Sequence, residues 1–139
     1  GLYHIRIYRT VSTKSANKFR GLCLLICGNE PANWAILQQD IDLEALRGKT
    51  VCLSVKFKTF SRSTLNLTIR YKTPDSKLVY LATKQCCCDD YVNIDSLVAS
   101  IPEEIDAASA HVAVYCNKHE GMIQVLEMKL ETGNSCSLF

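Results

Sequence analysis

The chain has little charge of either sign to spare. Sixteen Lys and Arg stand against fourteen Asp and Glu over 139 residues, a formal charge of +2, and neither sign forms a run. Such a balance lacks the basic stripe that marks a nucleic-acid surface. No apolar run approaches the roughly 18 residues a membrane helix needs. The longest, 22–27, is only strand length. His4, Arg6 and Arg9 occupy the place of an apolar leader core, so no secretory signal is expected at the start. Gly1 in place of Met points to a processed or excised fragment. Catalytic signatures are missing as well. There is no G-x-S-x-G, no H-E-x-x-H and no phosphate loop, and none of His4, His111 and His119 has a nucleophile motif around it. The adjacent acids Glu103 and Glu104 read as solvated, and the expectation is a non-enzyme.

Cysteine is too sparse for a disulfide scaffold: eight residues, about 6%, against the roughly 8–10% of small stapled domains. Cys23, Cys27, Cys52 and Cys116 sit in apolar, strand-like runs, where a free thiol behaves as a small hydrophobe. Cys86, Cys87 and Cys88 are consecutive, a poor arrangement for three bridges. Most cysteines are therefore expected to be reduced, which implies assembly in a reducing cytoplasm or an anaerobic host.

What is present is alternation. Val51, Leu53, Val55 and Phe57 alternate with Cys52, Ser54 and Lys56. Leu65, Leu67, Ile69 and Tyr71 alternate with Asn66, Thr68 and Arg70, and Val112, Val114 and Cys116 with His111, Ala113 and Tyr115. Near the end, Met122, Gln124, Leu126, Met128 and Leu130 alternate with Ile123, Val125, Glu127 and Lys129. Successive side chains of an extended strand point to opposite faces, so each segment offers one face to a core. Shorter candidates are 2–8, 19–27, 35–41, 78–83 and 88–94, giving about eight or nine strands with turn signals between them. Two segments have helical potential. In 42–46, Asp42 can cap and Gly48 can end a single turn, and 102–110 is rich in Glu and Ala. Many short strands without intervening helices indicate one all-β sandwich or barrel over 1–139.

Two stretches resemble the galactose-binding-like carbohydrate-binding modules. The first is Leu37-Gln38-Gln39-Asp40-Ile41-Asp42-Leu43 followed by Leu46-Arg47-Gly48-Lys49-Thr50-Val51-Cys52-Leu53-Ser54. It matches their strand ending in Gln, an L-x-G-K turn and a T-V-x-L-S strand. The second, Met128-Lys129-Leu130-Glu131-Thr132-Gly133, is similar to their closing K-L-E-x-G strand. Such domains accompany secreted polysaccharide-degrading enzymes and occur in phage and prophage tail fibres. The resemblance implies a jelly-roll β-sandwich of two antiparallel sheets and a non-catalytic carbohydrate-binding or attachment role. The setting it implies is a virion tail or a cell surface, with a cell-surface glycan or other tail subunits as partners, and it leaves a homo-oligomer open. A purely structural tail domain, or a module excised from a glycoside hydrolase, are the alternatives. A structural calcium is the one cofactor the family implies, with Asp89 and Asp90 as nearby carboxylates. Zinc at Cys86-Cys87-Cys88 is disfavoured, because neighbours in a strand point apart.

The candidate ligand residues follow from the polar strand faces. If the three best strands share a sheet, one outer face gathers Lys56, Asn66, Arg70, His111 and Tyr115. Donors beside an aromatic ring suit hydroxyl-rich ligands. On such an exposed ligand face Arg70→Ala is expected to weaken glycan binding by about 1–3 kcal/mol and to change stability little. The plain alternative is a solvated sheet face. Trp34, after a turn and opening a strand, is either a sugar platform or an edge residue of the core. Gln39, in phase with Leu37 and Ile41, is expected to be buried and to brace backbone.

Overall fold

The computed structural model describes residues 2–4, 8–9, 19–27, 35–60, 64–87, 92–116 and 121–138. Among the described residues ten strands and one helical turn follow one another: β1 (Leu2–His4), β2 (Tyr8–Arg9), β3 (Phe19–Cys27), β4 (Ala35–Ile41), α1 (Leu43–Leu46), β5 (Thr50–Phe60), β6 (Thr64–Lys72), β7 (Leu78–Cys87), β8 (Val92–Ser100), β9 (Ser109–Cys116) and β10 (Gly121–Thr132). They form two five-stranded sheets. The first runs β1-β10-β5-β8 with β3 also on β10, and the second runs β2-β4-β9-β6-β7. Every pairing is antiparallel.

The core forms where the apolar phases of the two sheets meet. Val51, Leu53, Val55 and Phe57 of β5 belong to one buried cluster with Leu65, Leu67 and Ile69 of β6 and Val112 and Val114 of β9. Gln39 lies among them fully buried, its amide Nε2 donating to the Asp40 carbonyl at 3.0 Å, as its phase requires. The closing strand departs from simple alternation. The register of β10 slips between Val125 and Glu127, so Val125, Met128 and Leu130 become the buried set. One extra residue opposite a partner strand reverses the phase beyond it, and no residue type announces that.

The single turn of helix is built as its ends demand. Asp42 accepts from the Ala45 amide at 3.3 Å, and Gly48 takes φ 73°, a region costly for a side chain. By contrast, 102–108 is not helical. Arg47 Nη1 donates to the carbonyls of Glu103 (3.2 Å) and Ile105 (2.8 Å), acceptors a helix would need for itself. Ile101 and Ile105 are buried, and the Ala108 amide is tied to the Lys72 carbonyl. Of the 88–94 candidate, only the part from Val92 onward is described, as the start of β8.

The cysteine expectation needs correction at Cys52, which forms a disulfide with Cys136 across 84 residues. Alternation puts Cys52 on the outer face of β5, opposite the core-facing Val51 and Leu53, where the C-terminal segment can reach it. Cys86 is buried and belongs to no disulfide among the described residues. Cys88 lies outside them, and nothing is described of the Cys23, Cys27, Cys87 and Cys116 side chains.

Candidate functional site

The register of the second sheet decides which polar side chains meet. Asp40, His111, Arg70 and Tyr80 form one row across β4, β9, β6 and β7. Two residues along β4, β9 and β6, and three along β7 because of a register shift there, Gln38, Ala113, Thr68 and Thr83 form a second row. Tyr115, Asn66 and Gln85 stand in a third. The middle row is short-chained at its centre, with Ala113 beside Thr68, whose hydroxyl is turned to the Ala82 carbonyl at 3.0 Å. Longer side chains on either side leave this centre low.

Asn66, Arg70, His111 and Tyr115 are thus brought together as the sequence suggested. Lys56 is not. Its strand β5 belongs to the other sheet, where Lys56 pairs with Glu127 and Ile94 on the far side of the sandwich. Trp34 lies outside the described residues, as do Asp89 and Asp90. Among the described residues no three His, Cys, Asp or Glu side chains converge as a metal site would require. The alternation argument placed Lys56 on an outer face correctly but had no means of choosing the sheet.

The face is also not a solvated one. Asn66, Arg70 and His111 are 7%, 5% and 4% exposed. Arg70 organises the row. Its Nη2 donates to Gln38 Oε1 at 2.8 Å, its Nη1 to the Tyr80 hydroxyl at 3.3 Å, and its Nε to His111 Nε2. The Tyr80 ring also lies beneath the guanidinium, 5.7 Å from centroid to Cζ. A guanidinium can only donate, so His111 Nε2 must be the bare nitrogen and Nδ1 must carry the proton. That Nδ1 has no hydrogen-bond partner among the described residues, and neither does Asn66 Nδ2. Two buried donors on one face therefore await an acceptor.

Gln38, Asp40 and Tyr80 were missed. Gln38 and Asp40 were legible, since they alternate with the buried Gln39 and Ile41. Tyr80 was not, because a register shift between Ile69 and Arg70 aligns it with Arg70. A pocket of about 360 Å³ opens at this end of the face, lined by Gln38, Asp40, Arg70, Lys72, Leu78 and His111. A neighbouring hollow of about 430 Å³ shares Asp40 and is walled by Asp42, Glu44 and the 107–110 segment. The first pocket is the basic one, the second the acidic one.

Burial, reinforced by the charges of Arg70 and Lys72 and opposed by Asp40, lowers the His111 pKa to about 4. The unfolded chain therefore binds the extra proton between roughly pH 4 and 6.5, so His111 makes stability rise with pH across that window. Acidifying from pH 7 to 4 should cost about 2–3 kcal/mol through this residue. Urea unfolding of the protein and of His111→Gln across that range tests it, the variant showing the flatter profile. An imidazole titrating near 6.5 in NMR spectra of the folded protein would contradict the buried row.

No protein-family model matches the sequence. No curated protein matches it either. Solved structures do match the fold. A CBM4 carbohydrate-binding module superposes with a TM-score of 0.61 at 18% identity, covering 81% of this chain and 72% of that one. The CBM22-1 xylan-binding domain from Paenibacillus barcinonensis Xyn10C gives 0.59 at 13% identity, covering 94% and 83%. The enzymatically active domain of bacteriophage CBA120 tailspike protein 4 gives 0.58 at 15% identity, with 92% of this chain matched to only 19% of that one. At these identities what is shared is the fold: the chain is an all-β sandwich of two antiparallel sheets, of the jelly-roll kind seen in carbohydrate-binding modules.

Proposed function

We propose that the chain is a non-catalytic carbohydrate-binding module that holds its ligand on the outer face of the second sheet. One observation carries this: Asn66 Nδ2 and His111 Nδ1, buried donors without partners among the described residues, flank a low centre beside a pocket of ligand size. Sugars present dense hydroxyl and ring oxygens that such donors can satisfy, and Tyr80 and Tyr115 stand on the same face to cover apolar ring surfaces. The carbohydrate-binding modules among the structural neighbours support the same reading. His111 is a poor base in this arrangement, because its accepting nitrogen is already engaged by Arg70.

The likeness to a tailspike domain supports display on a phage or prophage fibre, or a related surface protein, that attaches to a cell-surface polysaccharide. The Cys52–Cys136 bridge favours an oxidising exterior as the place where the mature module works.

A glycan array on the purified protein should give a restricted set of positives. Asn66→Ala should then weaken the best of them by about 1–3 kcal/mol, the range for one buried hydrogen bond. Silence across the array would point instead to a structural spacer.

A further inference from the structure

We propose that the sugar seated in the Arg70–His111 pocket carries an oxyanion, a uronic carboxylate or a sulfate ester, an assignment that rests on the carbohydrate-binding reading above. The reason is the balance of donors and acceptors. Arg70 has five N–H donors and spends three, on Gln38, Tyr80 and His111, none of them negatively charged. Buried as it is, it forms no ion pair among the described residues. His111 adds its unpartnered Nδ1–H from the same row. Lys72, two residues along β6, adds a second positive charge to the same pocket.

The acceptors that face Arg70 are meanwhile each engaged by it, and His111 Nε2 has no further lone pair. Gln38 Oε1 and His111 Nε2 both receive from Arg70, and so does the Tyr80 oxygen. A neutral sugar hydroxyl needs somewhere to donate as well as something to accept from, whereas an oxyanion only accepts. Spare donors around an uncompensated guanidinium therefore select the oxyanion, and the planar fork suits paired oxygens best. Asp40 is the one carboxylate in the row. It stands on the far side of His111 from Arg70 and has an interaction of its own. The anion is thus directed to the Arg70–Lys72 side.

The test compares matched polymers by affinity electrophoresis: polygalacturonate and alginate against their carboxyl-reduced forms, and sulfated against unsulfated dextran. At least one charged member should bind about tenfold or more tightly than its neutral twin, and which pair responds tells carboxylate from sulfate. Arg70→Gln should abolish that preference. Because Arg70 is buried, the exposed Lys72→Gln serves as the variant whose fold is safe, with an expected loss of a few-fold. Lys77→Gln, outside the pocket and paired with Asp75 at 3.7 Å, should lose nothing. Neutral twins binding as well as charged ones would overturn the anion assignment and leave carbohydrate binding standing. Equal losses from Lys72→Gln and Lys77→Gln would overturn it too, as diffuse charge attraction. Silence on every polymer would overturn both readings.

Discussion

Replacing Cys52 and Cys136 together by Ser should lower the unfolding free energy by about 4 kcal/mol, the largest loss expected from any change outside the core. The bridge joins residues 84 apart, and closing so long a loop removes much of the unfolded chain's freedom. It also anchors a strap. Beyond β10 the chain returns over the outer face of the first sheet, and Lys129, 2% exposed, reaches up to hold it. The Lys129 ammonium donates to the Ser137 carbonyl (2.5 Å), the Ser137 hydroxyl (2.8 Å) and the Leu138 carbonyl (2.8 Å), and lies 3.2 Å from Glu131. Glu131 in turn accepts from the Ser137 amide and hydroxyl.

Burial pushes the Glu131 carboxyl up, but the hydrogen bonds from Ser137 and Lys129 and the ammonium charge outweigh it and hold the pKa below its ordinary value. The carboxylate contribution is therefore complete above the ordinary carboxylate range and is lost as pH falls through the lowered folded value. Guanidinium unfolding of oxidised, reduced and double-Ser protein measures the bridge. A loss below about 1 kcal/mol would mean that the strap does not constrain the chain. Lys129→Met on the oxidised protein separates the ammonium from the bridge. With the disulfide intact the tail stays tethered, and proteolysis within 133–138 should still accelerate.

Arg70→Ala should cost about 2–4 kcal/mol of stability, not the few tenths an exposed sheet residue would cost. Three neutral partners lose their donor at once, and Gln38 Oε1 and His111 Nε2 are left facing a cavity. The signature beyond stability is the histidine. The Arg70 charge is one cause of the lowered His111 pKa, so the variant should move it back towards 6.5. Thermal unfolding and an NMR titration of His111 report the two effects separately. A variant that melts like the parent and keeps His111 near 4 would mean that the guanidinium neither braces nor charges this row.

Much of this architecture is legible along the chain, because burial on one face writes itself as alternation. Phe19–Cys27 and Ala35–Ile41 are read with the bounds they have, and the core phases of β5, β6 and β9 are those read from Val51, Leu65 and Val112. Asp42 and Gly48 bracket the one helical turn through local chemistry alone, a side-chain cap and a positive φ. Gln39 shows its burial by phase, and alternation likewise shows the outward phases of Asn66 and Arg70 along β6 and of His111 and Tyr115 along β9. These are properties of residues two to four apart, and the sequence by itself determined them. Only the tertiary structure decided which strands share a sheet, and so put Lys56 on the opposite side from Arg70. It alone set the bulge that turns Val125 inward, the capture of the Glu103 and Ile105 carbonyls by Arg47 and the meeting of Cys52 with Cys136. It also converted a face expected to be open into one where Arg70 is buried against Gln38, Tyr80 and His111. Each of these depends on pairing register or on contacts between distant segments, which a period-two pattern leaves free because every sheet order satisfies it equally well.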